Sequence, residues 1–282
     1  MEMAHPTHKP YLYPMRIPIT VIGAGWLGLP LALQLQQDGH AVTATATSAE
    51  GAARLAAQGL AAITLRLGEG QAATLPPSAV IIVTIPPRGG SHVMQQAIAE
   101  IATLAAQSRH ILYISSTAVY PDSNGEVQEQ DAQHIASPHS GIDLLDLEQR
   151  LHQAAPCPVT NLRLGGLFGP GRHPGRFLAG KLDVPGPDSP VNMTHLDDVI
   201  GAIQTILQQA PPSQHRTYNV VAPLHPSRAT FYNQACDRAG LPRPQWRPGP
   251  APFKQVSSAK IMAELGYQFR YADPMAALEI SE

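Results

Sequence analysis

Cysteine is scarce in this 282-residue chain: Cys157 and Cys236 are the two present. They are too few and too far apart to make a disulfide framework, which fits a reducing compartment, and a cytoplasmic location is the expectation. Charge is sparse as well, at 14% of residues, with 19 Lys and Arg against 21 Asp and Glu for a formal net charge of −2. That balance provides no broad basic surface to recruit nucleic acid or anionic lipid. The histidines follow no HExxH spacing and no CxxC occurs, so no metal site is expected. The apolar stretch over residues 17–35 could be mistaken for a signal peptide or a membrane span. Its glycines, Pro18 and Pro30 argue against a regular spanning helix. Residues 1–14, polar and rich in His and Pro, read as a flexible N-terminal extension, with Met15 as an alternative start.

What is present begins with a glycine-rich turn, Gly23-Ala24-Gly25-Trp26-Leu27-Gly28, directly after the apolar run Ile17–Ile22 and before an amphipathic stretch, Leu29–Gln37. In the order strand, GxGxxG, helix, each glycine has a task. The first makes the tight turn, the second leaves room for a pyrophosphate, and the third lets helix pack on strand. The N–H groups of the helix start then face the anion. Further strands are expected at 41–46, 62–67, 80–85, 111–115, 159–164 and 217–221. Helices are expected at 49–58, 91–106, 140–154, 197–209, 228–239 and 258–265. This alternation predicts an α/β fold: a Rossmann-type doubly wound parallel sheet with a small C-terminal substrate-side domain. A hydrophobic content of 44% supplies the core. The division expected is residues 15–170 for the dinucleotide domain, with 191–222 returning to it, and 171–190 with 223–282 for the smaller one. Thr47-Ser48-Ala49-Glu50 reads as a capping box.

Candidate ligand contacts follow from the strand ends. An acid about 20 residues past the glycine turn would hold the ribose 2′-hydroxyl of NAD, but residues 43–48 read Thr-Ala-Thr-Ala-Thr-Ser. Small hydroxyls at Thr45 and Thr47, with Arg54 a turn onward, tolerate a 2′-phosphate, so NADP is favoured over NAD. Pro86 and Pro87 supply a rigid turn beside the dinucleotide, and Arg88 could reach a phosphate. Tyr113-Ile114-Ser115-Ser116-Thr117-Ala118-Val119-Tyr120 puts hydroxyls at another strand end, where they can polarise a carbonyl or satisfy local backbone groups. Ser115 is assigned to the cofactor side.

The glycine turn, Ser115 to Tyr120, Leu162-Arg163-Leu164-Gly165-Gly166-Leu167-Phe168-Gly169-Pro170-Gly171-Arg172 and Asn192-Met193-Thr194-His195-Leu196-Asp197-Asp198-Val199 occur in that order. Together they resemble the extended short-chain dehydrogenase/reductase superfamily, in its NAD(P)-dependent epimerase/dehydratase branch, over about residues 16–270. The resemblance implies NAD or NADP as cofactor and a catalytic serine at Ser116. It also implies a tyrosine and a lysine four residues later, and these positions fall on Ser140 and Leu144. Serine is a poor proton donor at neutral pH and leucine carries no charge, so the chain resembles an atypical member. The bland reading makes Ser140 an N-cap with Asp143 at N3, and packs Leu144 and Leu145. Tyr120 and His139 are the candidate replacements for the acid/base. Arg172, His173 and Arg176, in a glycine-proline loop, could hold a phosphate or carboxylate, such as the diphosphate of a nucleotide sugar. The expected function is therefore an NAD(P)-binding oxidoreductase or epimerase/dehydratase-like protein acting on a small polar substrate. The alternative is a non-catalytic NAD(P)-binding sensor or interaction protein. No nucleic-acid or membrane partner is expected, and a homodimer is left open.

Overall fold

In the computed structural model, which describes residues 16–69 and 75–278, the apolar runs close into a seven-stranded sheet with every pairing parallel. The first half of the chain gives β1 (Pro18–Ile22), α1 (Gly28–Gln37), β2 (Ala41–Ala46), α2 (Ala49–Ala56), β3 (Ala61–Thr64), β4 (Val80–Val83), α3 (Gly90–Leu104) and β5 (His110–Ser116). After a 3-10 turn at Thr117–Val119 come β6 (Gly125–Val127), α4 (Leu144–Ala154), β7 (Val159–Leu164), β8 (Gly166–Phe168), α5 (Gly175–Leu178), β9 (Met193–His195) and α6 (Leu196–Gln208). The chain continues through β10 (Arg216–Val220), α7 (Arg228–Arg238), β11 (Lys254–Val256), α8 (Ala259–Leu265) and α9 (Pro274–Ala277). The strand order is β10-β7-β5-β4-β1-β2-β3. Order therefore reverses between β1 and β4, the switch point at whose carboxyl edge sheets of this kind bind their ligands.

The period-2 alternation of the strands sets the two layers. Val80 and Ile82 of β4 join Ile19 and Val21 against Leu31, Leu35, Val199 and Ile203 on one face. Ile81 and Val83 meet Met94, Ile98, Leu147 and Leu151 on the other. Each such fully buried side chain contributes roughly 1.5–3 kcal/mol. A third cluster, with Phe168, Val191, Met193, Phe231 and Tyr271, gathers residues after Gly165. Two short pairs, β6 with β11 and β8 with β9, lie outside the main sheet. The N-terminal extension expected at 1–14 lies outside the described residues. Among the described residues no helix is long and apolar enough to cross a membrane.

Two helix caps differ from the sequence reading. Helix α2 is capped by Ser48, whose Oγ accepts from the Gly51 N–H at 3.1 Å, one residue later than a Thr47 box requires. Helix α4 starts at Leu144 rather than 140. Gly141 takes φ +68°, and a bridge between Ala136 and Asp143 holds the intervening loop tight. Asp143, not Ser140, then caps the helix, its Oδ1 accepting from the Asp146 N–H at 3.1 Å. Leu144 and Leu145 pack into the apolar cluster as the bland reading has it.

Two histidines are held neutral inside this frame. His110 is fully buried with Nε2 2.8 Å from Thr160 Oγ1, and burial pushes its pKa down to about 4. His152 is also pushed down to about 4, by burial first and then by His215, on which it stacks at 4.3 Å. Both folded-state values lie below the ordinary 6.5, so the unfolded chain takes up these protons first as pH falls. Stability is full above about pH 6.5 and is lost toward pH 4, by roughly 3 kcal/mol from His110 alone. Urea unfolding at pH 7 and pH 4.5 should show this drop, and His110→Asn should reduce it to the part His152 contributes.

Candidate functional site

The three glycines of the turn are sorted by their surroundings. Gly23 takes φ +95°, in the left-handed region that favours glycine. A Cβ on Gly28 would stand 2.3 Å from the Gly23 carbonyl oxygen and 2.6 Å from Thr84 Oγ1. A Cβ on Gly25 would meet nothing within 4 Å. The turn is braced from beneath by Thr84 Oγ1, which donates to the Gly23 carbonyl at 2.6 Å. From the side, Thr45 Oγ1 accepts the Gly23 N–H at 3.0 Å. Helix α1 then begins with no side-chain cap and no acid in its first turn. Leu29 N–H is taken by the Gly25 carbonyl at 3.0 Å and Pro30 has none, so the N–H groups ahead of Leu29, at the open side of Gly25, are the ones a phosphate would meet. The donor set and the room match a pyrophosphate: the residues of the turn fit a dinucleotide.

Around this centre the expected contacts divide. Thr45 is buried, and its hydroxyl serves the glycine turn instead of reaching a ligand, because residue 45 points under the turn. Thr47 is exposed at the end of β2, and its carbonyl accepts from Arg66 Nε at 2.8 Å. Arg54, also exposed, has Nη2 3.8 Å from where a Cβ of Gly51 would stand. Arg54 and Arg66 therefore both approach the strand end. Two acids lie close by: Glu69 pairs with Arg66 at 3.5 Å, and Glu50 is held below the usual carboxylate range by backbone N–H and Ser48 hydrogen bonds at the helix start. Sequence reading missed Arg66, which reaches this spot because β3 lies beside β2. Ile85 abuts Gly23, so Pro86 and Pro87 leave the sheet beside the turn.

At the end of β5 the two serines point different ways. Ser115 Oγ donates to Glu148 Oε1 at 2.5 Å, so its side chain is committed to the core rather than to a cofactor. Ser116 caps the 3-10 turn, its Oγ accepting from the Ala118 N–H at 3.2 Å. Tyr120 is fully buried, and this corrects its candidacy as a proton donor. Its hydroxyl donates to Asn219 Oδ1 at 2.6 Å and accepts from Arg163 Nη1 at 2.8 Å. Burial, only partly offset by Arg163, pushes its pKa up to about 12. Arg163 in turn pairs with Glu148 at 2.7 Å, both side chains at most 4% exposed. No sequence spacing signals this pair, since it joins a helix to a strand across the core. His139 is exposed, its backbone N–H donating to Ser137 Oγ at 3.3 Å. Ser140 Oγ accepts from the Ile142 N–H at 3.4 Å.

The basic loop splits in two. The Arg172 guanidinium lies over the Trp26 ring at 5.3 Å and the Phe177 ring at 5.8 Å, beside the glycine turn. His173 and Arg176 instead line a cleft of about 340 Å³ with Gly169, Gly171, Arg238 and Leu241. Burial and the Arg176 charge hold the His173 pKa below its ordinary value. Asp198 accepts the backbone N–H groups of Arg270 and Tyr271 and the Tyr267 hydroxyl.

Sheet order, glycine turn and carboxyl-edge switch point define an NAD(P)-binding protein with the fold of the extended short-chain dehydrogenases/reductases. Residues 18–144 match the family described as the NAD binding domain of 6-phosphogluconate dehydrogenase. Over 270 residues the chain is 38% identical to protein YeeZ of Escherichia coli (strain K12), covering 91% of this chain and 97% of YeeZ, and it belongs to the family of YeeZ. The Bordetella bronchiseptica enzyme WbmG in complex with NAD shares the fold at TM-score 0.73 and 17% identity, over 94% of this chain and 93% of that one. WbmG has also been solved with NAD and UDP. The human epimerase family protein SDR39U1 with NADPH superposes at TM-score 0.67 and 19% identity, over 94% and 98% of the two chains.

Proposed function

We propose that this protein is an NADP-preferring oxidoreductase or epimerase-like enzyme for a small anionic substrate, working without the usual tyrosine and lysine. The preference for NADP rests on one observation: Arg54 and Arg66 converge on the end of β2, where Glu50 is already engaged by Ser48. A 2′-phosphate would meet two guanidinium groups there and would displace Glu69, which pairs with Arg66 at 3.5 Å. Once bound, the nicotinamide supplies hydride chemistry. The chain's own contribution at the carboxyl edge is Ser116. Its oxygen accepts a backbone N–H, which leaves its proton to be donated to a reacting oxygen. His173 and Arg176, with Arg238 opposite, suit a phosphate or carboxylate, and WbmG, of the same fold, has been solved with UDP. The small substrate-side unit of this reading comprises 171–190 and 223–282.

A second reading, a non-catalytic NADP sensor, draws on Tyr120: its hydroxyl is consumed in the core. Leu144 is packed there too. Thermal denaturation with NAD, NADP and their reduced forms tests the cofactor preference. A ligand at ~100 times its Kd adds about 2.7 kcal/mol, enough for a clear Tm shift. NADP should shift Tm at lower concentration than NAD, and Arg66→Ala should equalise the two; equal shifts in the parent would sink the preference. Mixing the NADPH-loaded protein with UDP-sugars, and following nicotinamide absorbance and sugar products, separates enzyme from sensor. Turnover that falls in Ser116→Ala supports the enzyme, and a stable ternary complex without turnover supports the sensor.

A further inference from the structure

We infer that Arg172 serves the dinucleotide: the turn Gly169–Arg172 is a latch seated on the glycine-rich turn, and its guanidinium closes on the cofactor's pyrophosphate. This rests on dinucleotide binding at Gly23–Gly28. Residues 23–31 contain no charged side chain, so in that segment a doubly charged pyrophosphate meets only N–H dipoles. The missing cation comes from a segment more than a hundred residues away in sequence. Trp26 Nε1 donates to the Pro170 carbonyl at 2.8 Å. A Cβ on Gly171 would stand 4.0 Å from the same indole nitrogen. The latch turn is closed on itself by two backbone hydrogen bonds, Arg172 N–H to the Gly169 carbonyl at 2.9 Å and Gly169 N–H to the Arg172 carbonyl at 3.3 Å. Its geometry is therefore fixed independently of any ligand.

The Arg172 side chain is held differently from its backbone. It is exposed and rests on the faces of Trp26 and Phe177, and among the described residues it forms no ion pair. An exposed cation–π contact is a weak hold. A phosphate offers the planar guanidinium two parallel hydrogen bonds and full charge, so the pyrophosphate outcompetes the rings. Trp26 occupies the gap between the second and third glycines, so its indole is both the seat of the latch and the group that senses its closure. His173 and Arg176 follow on the same loop and turn toward the separate cleft. Arg172 is thereby distinguished from its two neighbours, with which it shares only sequence.

Calorimetric titration of the whole chain with NADP, ADP-ribose and 2′-AMP tests this. ADP-ribose contains the pyrophosphate without the nicotinamide, and 2′-AMP contains the 2′-phosphate without the pyrophosphate. Arg172→Ala should weaken NADP and ADP-ribose about ten-fold or more, as loss of one charge-assisted contact implies. It should leave 2′-AMP unchanged, and Arg172→Lys should recover part of the loss. In the parent, ADP-ribose should change Trp26 fluorescence, read in a Trp246→Phe background, and Arg172→Ala should remove that change. If Arg172→Ala binds ADP-ribose like the parent, or loses 2′-AMP equally, the latch is refuted while the cofactor site stands. If the parent binds neither NADP nor ADP-ribose, the cofactor site is refuted and the latch with it.

Discussion

Gly25→Val is expected to weaken NADP binding at least a hundred-fold, about 2.7 kcal/mol, while leaving the Tm of the ligand-free protein close to that of the parent. The reason is local. A Cβ on residue 25 would meet nothing of the protein within 4 Å, and φ there lies outside the left-handed region. The substitution therefore costs the free protein little, yet it fills the space a phosphate must enter. Gly28→Ala should do the reverse. Its methyl group would overlap the Gly23 carbonyl and Thr84 Oγ1, and neither can move without breaking the bond that braces the turn. Overpacking of this kind costs on the order of 3 kcal/mol, so Gly28→Ala should lower Tm before any ligand is added. Measuring Tm and Kd for both variants separates the two tasks; a Gly25→Val variant that binds NADP like the parent would remove the turn from the cofactor site.

Glu148→Ala should cost about 3–5 kcal/mol in urea unfolding, because it strands the Arg163 guanidinium in the core. Arg163 donates to both Glu148 oxygens, to the Tyr120 hydroxyl and to the Glu129 carbonyl, and the last two cannot neutralise it. Against a total stability of 5–15 kcal/mol typical of folded proteins, this is a large fraction. The double change Glu148→Leu with Arg163→Met removes both charges and should recover much of the loss, since a buried pair is costly to break rather than strongly stabilising. If the double change is no more stable than Glu148→Ala, the hydrogen bonds to Ser115 and Tyr120 carry the stability instead.

The sheet was legible in the sequence because its strands are buried runs of apolar residues separated by helices of ordinary length. The expected spans 41–46 and 159–164 coincide with β2 and β7. Three-residue strands carry no such periodicity, so β6 with β11 and β8 with β9 could not be anticipated. The glycine turn was legible because close approach leaves a residue-type signature. The rest of the site was less so. Sequence adjacency put Tyr120 near Ser116, but one 3-10 turn between them sends the tyrosine into the core. Adjacency also grouped Arg172 with His173 and Arg176, although the loop turns them to different partners. Arg66 and Arg238 converge on their sites only through tertiary packing.

The β6–β11 pairing also has a bearing on the order of assembly. Residues 125–127 find their strand partner at 254–256, and Asn192 clamps that partner by donating to the Lys254 carbonyl and accepting the Val256 N–H. Lys254 Nζ then donates to the Tyr120 carbonyl at 2.6 Å. The segment beyond Ser116 thus waits for chain made some 130 residues later, and contacts of such long range form slowly. The glycine turn takes its bracing from Thr45 and Thr84, both made well before residue 125, and can form earlier. The glycine turn is accordingly the older part of each newly made molecule, and the segment beyond Ser116 is finished last.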